Sequence, residues 1–379
     1  MPIPEQRDLD ATRGIVAPWF AAHFGATDVE VGPIQGPALT GFSNETLLMD
    51  ATYTPADGGA RRTEGLVVRV KPTGHTVFLE SDFEWQYRVL EILGTQTDVP
   101  VPVVRGFEAD PSILGAPFFV MDRIDGCRVP ADAPSYNATG WIHDDATPAQ
   151  RRTLVESGLD QLVKIHALDW RALGLGFLDK PQYGARGFEQ QLRYYEASYE
   201  WAARGEDQPV VGAALEFCRE NAPGDRELTV CWGDARINNQ LFDDDYHVRA
   251  VLDWEMVTLA DPMMDLGWWC FLDRHFHEGM DQPRLDGFPT REEMVAYYAA
   301  TSGRALHDLD FYEVFAGLRF GVVMIQIKNL LVEFGLAPAD SDMGRTNAVT
   351  RVVAELLGLP DPTASASELA SEPGRMDRS

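Results

Sequence analysis

The chain has 379 residues, 45% of them hydrophobic and 24% charged, a globular balance long enough for one large bilobal unit or two domains. Its 59 Asp and Glu against 32 Lys and Arg give a formal net charge of −27, which argues against nucleic acid or an anionic membrane surface as a partner. Cys127, Cys218, Cys231 and Cys270 are scattered and form no CxxC pair, excluding a disulfide framework or zinc knuckle and fitting a reducing, cytoplasmic setting.

The opening MPIPEQRDLDATRG lacks a basic start followed by an apolar stretch, and no apolar run of about 18 residues stands out, so no secretion signal or membrane span is expected. Residues 8–24 mix apolar and polar positions at helical spacing. Three alternating, strand-like runs follow: VEVGPIQG, NETLLMDATY and LVVRVKP. A break at Pro72-Thr73-Gly74 precedes LESDFEWQYRVLEILG, where Phe83, Tyr87, Leu90 and Leu93 predict a helix ending at Gly94. VPVPVVRGFEAD reads as an edge strand because of its prolines, and LGAPFFVMDRIDG as a further strand. Residues 1–122 thus form a small β-rich lobe with an inserted helix.

From 123 to 360 the pattern is mainly helical, with RRTLVESGLDQLVKIHALDW, GFEQQLRYYEASYEWAAR, VVGAALEFCREN, DLGWWCFLDRHF, REEMVAYYAATS and a long apolar segment at 311–334. Two short runs interrupt it, CWGDARINNQLF and HVRAVLDWEMV, joined by the turn-like 243–245; a hairpin would hold both polar clusters at one edge. Residues 361–379 are polar and rich in small side chains, the composition of a disordered tail.

Phosphoryl transfer needs a group to orient or deprotonate the attacking hydroxyl, oxygen ligands for Mg²⁺ and a cation near the γ-phosphate. Asp234 suits the first task, Asn239 and Asp253 the second, and Arg236 the third. The pattern D-x-R-x-x-N, followed by LDWE and DPMMDLG, resembles the aminoglycoside phosphotransferase family over about residues 30 to 355.

That resemblance implies an α+β, protein-kinase-like bilobal fold, with ATP and Mg²⁺ in the cleft and a small-molecule hydroxyl as acceptor. It makes Asp234 the catalytic Asp, Asn239 and Asp253 the metal ligands, and Asp265 a brace for the catalytic loop. It places Gly41, Ser43 and Asn44 over the nucleotide phosphates, Arg69 (with Lys71 as the fallback) at the α- and β-phosphates, and the backbone from Asp122 to Ile124 against adenine. Two positions depart from the pattern. Trp232 stands where the family usually has His, and Gln86 where many kinases have Glu, with Glu84 an imperfect substitute.

His275 and His277 lack a third ligand at metal spacing and read as surface or packed residues, and His166 as packed beneath the catalytic loop. Trp268 and Trp269 fit an acceptor pocket or helix packing equally. Asp273, Glu278, Asp281 and Asp286 offer the carboxylate ring an aminoglycoside would favour, yet their surroundings are aromatic and apolar, as an uncharged or acyl acceptor would prefer. The family resemblance also extends to enzymes acting on macrolides, amino alcohols and hydroxyacyl thioesters. Two rivals stand beside the kinase: a catalytically impaired nucleotide-binding regulatory module, and a metal-dependent phosphohydrolase, for which paired bridging ligands are missing. Nothing in the sequence sets the oligomeric state.

Overall fold

The computed structural model describes residues 7–36, 45–80, 82–132, 134–224 and 226–364. The expected phosphate-loop residues Gly41, Ser43 and Asn44 lie outside the described residues, as does the tail beyond 364. Helix α1 (Leu9–Phe24) starts where the Asp8 side chain accepts from the Ala11 N–H and stops at Gly25, in the left-handed region at φ 60°. Strands β1 (Thr27–Val31), β2 (Glu45–Thr54) and β3 (Arg62–Val70) follow, then α2 (Phe83–Gln96), β4 (Val104–Glu108), the single turn α3 (Pro111–Leu114) and β5 (Phe118–Asp122). The five strands form one antiparallel sheet in the order β1-β2-β3-β5-β4. β4 is an edge, and Pro100 and Pro102 precede it, where they remove no ladder donor.

Period-two alternation sorts the sheet's side chains onto two faces. Leu47, Met49, Leu66, Val68, Phe118 and Val120 pack with Val16 and Phe20 of α1. Phe119 points the other way and meets Phe83 of α2, ring centroids 5.3 Å apart. The sheet therefore lies between two helices. α2 continues through Gly94, because a glycine inside a helix costs only about 1 kcal/mol and the Thr97 hydroxyl then satisfies the Leu93 carbonyl at 2.8 Å.

The second lobe comprises α4 (Trp141–Asp144), α5 (Pro148–His166), α6 (Phe188–Ala203), α7 (Pro209–Glu220), β6 (Thr229–Cys231), β7 (Gln240–Phe242), β8 (Val248–Val251), β9 (Thr258–Ala260), α8 (Met263–Arg274), a π-helical turn at His275–Gly279, α9 (Arg291–Ser302), α10 (Leu309–Glu333) and α11 (Ala348–Leu357). β7 and β8 form the expected hairpin. β6 pairs instead with β9, a ladder the sequence pattern did not indicate. Together the two ladders bring residues 232–239 and 252–257 side by side.

Contrary to the sequence expectation, α10 is long and apolar enough to cross a membrane, with a mean hydropathy of 1.5 over its most apolar window. That window is 72% buried, packed against α6, α7, α8 and α11, and the helix carries buried Glu313, Arg319 and Lys328. It is the central core helix of the lobe. All four cysteines are free thiols.

Phe118 is fully buried between the sheet and α1. Phe118→Ala should lower unfolding free energy by about 3–5 kcal/mol in urea titrations; a loss below about 1 kcal/mol would mean that α1 does not close that face.

Candidate active site

The loop after β6 is held from below by one carboxylate. Asp265, the third residue of α8 and fully buried, accepts the Trp232 N–H at 2.6 Å and the Gly233 N–H at 2.9 Å. His166 Nε2 lies 3.3 Å from the same carboxylate, and His166 Nδ1 is 2.7 Å from the Tyr298 hydroxyl. The His166, Cys231 and Asp265 donors lie close enough to suggest a metal. The Asp265 oxygens are committed to amides, however, and Cys231 Sγ donates to the Asp261 carbonyl at 3.4 Å, so the group is a hydrogen-bonded core cluster. Gly233 has φ 92°, and a Cβ there would lie 2.0 Å from the Met256 carbonyl oxygen. Only glycine lets the two loops cross so closely.

The Trp232 indole does more than fill space. Its N–H donates to the carbonyls of Leu252 (2.8 Å) and Asp253 (3.1 Å), tying the catalytic loop to the second polar loop. The Leu252 N–H returns the tie by donating to the Asn239 carbonyl at 2.8 Å. Asp253 itself sits in the left-handed region at φ 58°, an uncommon conformation that Asp tolerates better than most side chains and that over-determined surroundings hold in place.

Three donors converge on Asp234. Asn239 Nδ2 reaches Oδ2 at 2.6 Å, Arg236 Nε reaches the same oxygen at 3.2 Å, and the Trp268 indole N–H reaches Oδ1 at 2.9 Å. Arg236 also donates to Asp132 Oδ1 at 2.7 Å. Burial works against the Arg236 charge, but the carboxylates of Asp234 and Asp132 outweigh it and hold the guanidinium protonated. Burial pushes the Asp253 carboxyl up, Arg69 partly offsets this, and the Asp234 charge adds to it. Asp253 Oδ1 is buried with no hydrogen-bond partner, 3.8 Å from Arg69 Nη2. Asn239 spends its amide nitrogen on Asp234, which turns its carbonyl oxygen outward from that contact. An orphaned carboxylate oxygen, an amide oxygen and a carboxyl short of positive charge are a hard oxygen set that fits a divalent cation.

On the nucleotide side, Arg69 of β3 is paired with Asp253 across the lobes, whereas Lys71 stands one residue past the strand, its N–H bonded to the Pro117 carbonyl. Gln86 is buried on α2 and Glu84 is exposed, and the ion pair of Arg69 is with Asp253 rather than with Glu84. Asp122 directs its side chain to Arg105, with Nε to Oδ1 at 2.6 Å, and its N–H to the Val103 carbonyl; the Arg123 N–H goes to Gly65. Those two amides are spent within the sheet, which leaves the N–H of Ile124 as the amide of this expected hinge segment with no such bond among the described residues.

Three of the four carboxylates of the expected acidic ring are paired with arginines. Asp273 pairs with Arg284 (2.5 Å), Glu278 with Arg274 (2.5 Å) and Asp281 with Arg351 (2.6 Å). His275 is pushed down to about 4 by burial, with the Arg236 charge adding to the effect. His277 is also lowered by burial and has Nδ1 2.7 Å from the Asp273 carbonyl. Of the surface and packed readings, the structure gives the packed one, with His277 buried and His275 half-buried.

A sequence model of the phosphotransferase enzyme family matches residues 53–297. The chain belongs to this family. A structure of a Ralstonia eutropha protein assigned to the aminoglycoside phosphotransferases superposes with a TM-score of 0.66 at 24% identity, covering 91% of this chain and 98% of that one. Choline kinase LicA from Streptococcus pneumoniae superposes at 0.51 with 14% identity, covering 92% and 99%. The fold is therefore the bilobal, kinase-like fold that the sequence motifs implied. By sequence, the chain is 27% identical over 284 residues to the probable acyl-CoA dehydrogenase IBR3 of Arabidopsis thaliana, covering 70% of this chain and 32% of that one. It is also 27% identical over 276 residues to mouse acyl-CoA dehydrogenase family member 10, covering 68% and 24%. The chain spans a third or less of the length of these relatives.

Sequence reasoning left three site residues without a role. Trp268 follows Asp265 by three positions on α8, so both face the same loop, and that spacing was the available signal. Arg319 was legible as a lone arginine inside an apolar helix. Asp132 gave no signal, because its partner lies 104 residues away.

The unfolded chain should bind more protons at His275 than the folded one between about pH 4 and 6.5, so stability rises with pH across that window and is lost as pH falls. His275→Leu should lose less stability than the parent between pH 7 and 4.5, read from urea midpoints; equal losses would contradict the assignment. Asp253→Asn removes a carboxylate whose charged form burial disfavours and should raise the metal-free melting temperature at neutral pH, checked by calorimetry with a chelator present.

Proposed function

We propose that this phosphotransferase moves the γ-phosphoryl group of MgATP to a hydroxyl of a small molecule. The observation that carries the proposal is an Asp234 carboxylate held by three donors beside an Asp253 oxygen that has none. Asp234 orients the acceptor hydroxyl and accepts its proton. The acceptor oxygen bonds to the γ-phosphorus as the bond to the β-phosphate oxygen breaks, and ADP leaves. Arg236, kept charged by its two carboxylates, stabilises charge on the group in transit. Asn239 and Asp253 would hold Mg²⁺, which neutralises phosphate charge when bound. Arg69, which reaches Asp253 from β3, would meet the α- and β-phosphates, and the backbone from Asp122 to Ile124 would meet adenine.

For the acceptor we favour a hydroxyacyl thioester, in a cytoplasmic setting. The support is that the relatives sharing this segment carry the name acyl-CoA dehydrogenase. The charge pattern points the same way, since Asp273, Glu278 and Asp281 already pair with arginines and offer a polycationic aminoglycoside little unspent charge. A regulatory module without catalysis is the alternative, and the loop geometry speaks against it: the Trp232 indole ties the catalytic loop to the Asp253 turn.

Incubation with MgATP and a panel of hydroxyacyl thioesters, amino alcohols, macrolides and aminoglycosides should yield a thioester heavier by one phosphoryl group in mass spectra. Asp234→Asn should lower kcat by about 10²- to 10⁴-fold with KM for MgATP little changed, whereas Asp253→Ala should raise that KM. Parental turnover in both variants would refute the site. MgATP binding with no acceptor modified would favour the regulatory module.

A further inference from the structure

The two oxygens of Asp234 are not equivalent. Oδ2 receives two donors, Asn239 Nδ2 at 2.6 Å and Arg236 Nε at 3.2 Å, which fill the two lone-pair directions of a carboxylate oxygen. Oδ1 receives one, the Trp268 indole N–H at 2.9 Å, and keeps a direction open. The indole is itself fixed. Trp268 is buried on α8, the Phe320 ring lies 5.8 Å from it, and the Arg319 guanidinium sits 4.4 Å above its face. Arg319 is fully buried and is held by neutral groups: Nη2 donates to the Gly233 carbonyl at 2.7 Å and Nε to the Tyr195 hydroxyl at 3.1 Å, while Nη1 has no partner. A buried guanidinium is costly to place. Here it grips the residue before Asp234 and the ring that donates to Asp234, so one side chain of α10 sets both the backbone and the carboxylate plane.

We propose that Asp234 Oδ1 is the oxygen that meets the acceptor hydroxyl, and that Trp268 is a positioning residue, clamped by Arg319, that aims this oxygen through its indole N–H. This rests on the phosphotransfer proposed above. As the acceptor oxygen bonds to phosphorus and ADP departs, the hydroxyl proton passes to Oδ1. The N–H keeps the carboxylate from rotating and so from presenting the already filled Oδ2. The polar contact of Trp268 is with Asp234, the proposed proton acceptor, so the effect is expected in kcat.

The test uses the full chain with two independent readouts. In steady-state kinetics, Trp268→Phe keeps an aromatic ring and deletes the donor. Its kcat should fall about 10- to 100-fold, the size of a lost hydrogen bond to a charged group, with KM for MgATP within about twofold of the parent. Phe320→Leu, which loosens the same ring without removing the N–H, should stay within about threefold in kcat on that same scale. In NMR of ¹⁵N-indole-labelled protein, the Trp268 Nε1–H resonance, identified by its loss in Trp268→Phe, should be downfield and protected from exchange. It should move upfield and lose protection in Asp234→Ala, with the other indole signals in place. Parental kcat in Trp268→Phe, or an indole signal indifferent to Asp234→Ala, overturns the proposal. The NMR readout needs no turnover, so a parent protein that phosphorylates nothing would refute the phosphotransfer and leave the indole contact to be judged by its spectrum.

Discussion

A buried carboxylate that accepts from two consecutive backbone amides fixes the chain on both sides of it, and Asp265 does this for Trp232 and Gly233. Hydrogen bonds to a charged group contribute about 1.5–3 kcal/mol each, and the buried ion would be untenable without them. The bond therefore works in both directions: the loop satisfies the carboxylate, and the carboxylate decides where the loop begins. Everything downstream inherits that start. Asp234 follows directly, Asn239 closes back on it five residues later, and α8, which carries Asp265, also carries the indole that reaches the Asp234 side chain.

The second loop has no such anchor of its own and borrows one. Three-residue strands β6 and β9 are too short to fix a register by themselves, and the Asp253 turn adopts a left-handed conformation that costs energy. The Trp232 indole supplies the missing hold by bridging two successive carbonyls of that turn. This explains how the site keeps its shape without the family's usual His. An indole offers a single N–H but reaches further than an imidazole, and full burial on the Trp254 side keeps that donor from being lost to water.

The sequence carried the parts of this arrangement that depend on local periodicity or on residue type at fixed spacing. The alternation in β2 and β3 and the apolar stripe of α2 were legible because one face of each is buried. Asp234, Arg236, Asn239 and Asp253 were singled out by residue type at the spacing of a family motif, and the fold brings them together. The β6–β9 ladder was not, since three residues give no period. α2 passing through Gly94, α11 behind α10, and the direction of the Trp268 N–H were also hidden, because each is decided by a tertiary partner. Glu84 misled for a related reason: it lies close to Gln86 in sequence, yet two positions along a helix turn the side chain to the opposite face.

The net charge of −27 and the proposed site for a polyanionic nucleotide look incompatible until distance is considered. Charges beyond a Debye length of about 8 Å at physiological ionic strength are largely screened, so the scattered surface carboxylates govern long-range encounters and little within the cleft. Inside it, three arginines from separate elements, Arg69 on β3, Arg236 in the loop after β6 and Arg319 on α10, stand against the carboxylates of Asp132, Asp234 and Asp253. Each is buried or nearly so, and each contacts the Asp234–Asp253 region directly or through one neighbour. Cations that are costly to bury have been concentrated at one point of an otherwise acidic chain. For the proposed phosphotransfer, local charge rather than net charge is therefore what would decide phosphate binding, and the acidic exterior would mainly slow the approach of an anionic ligand.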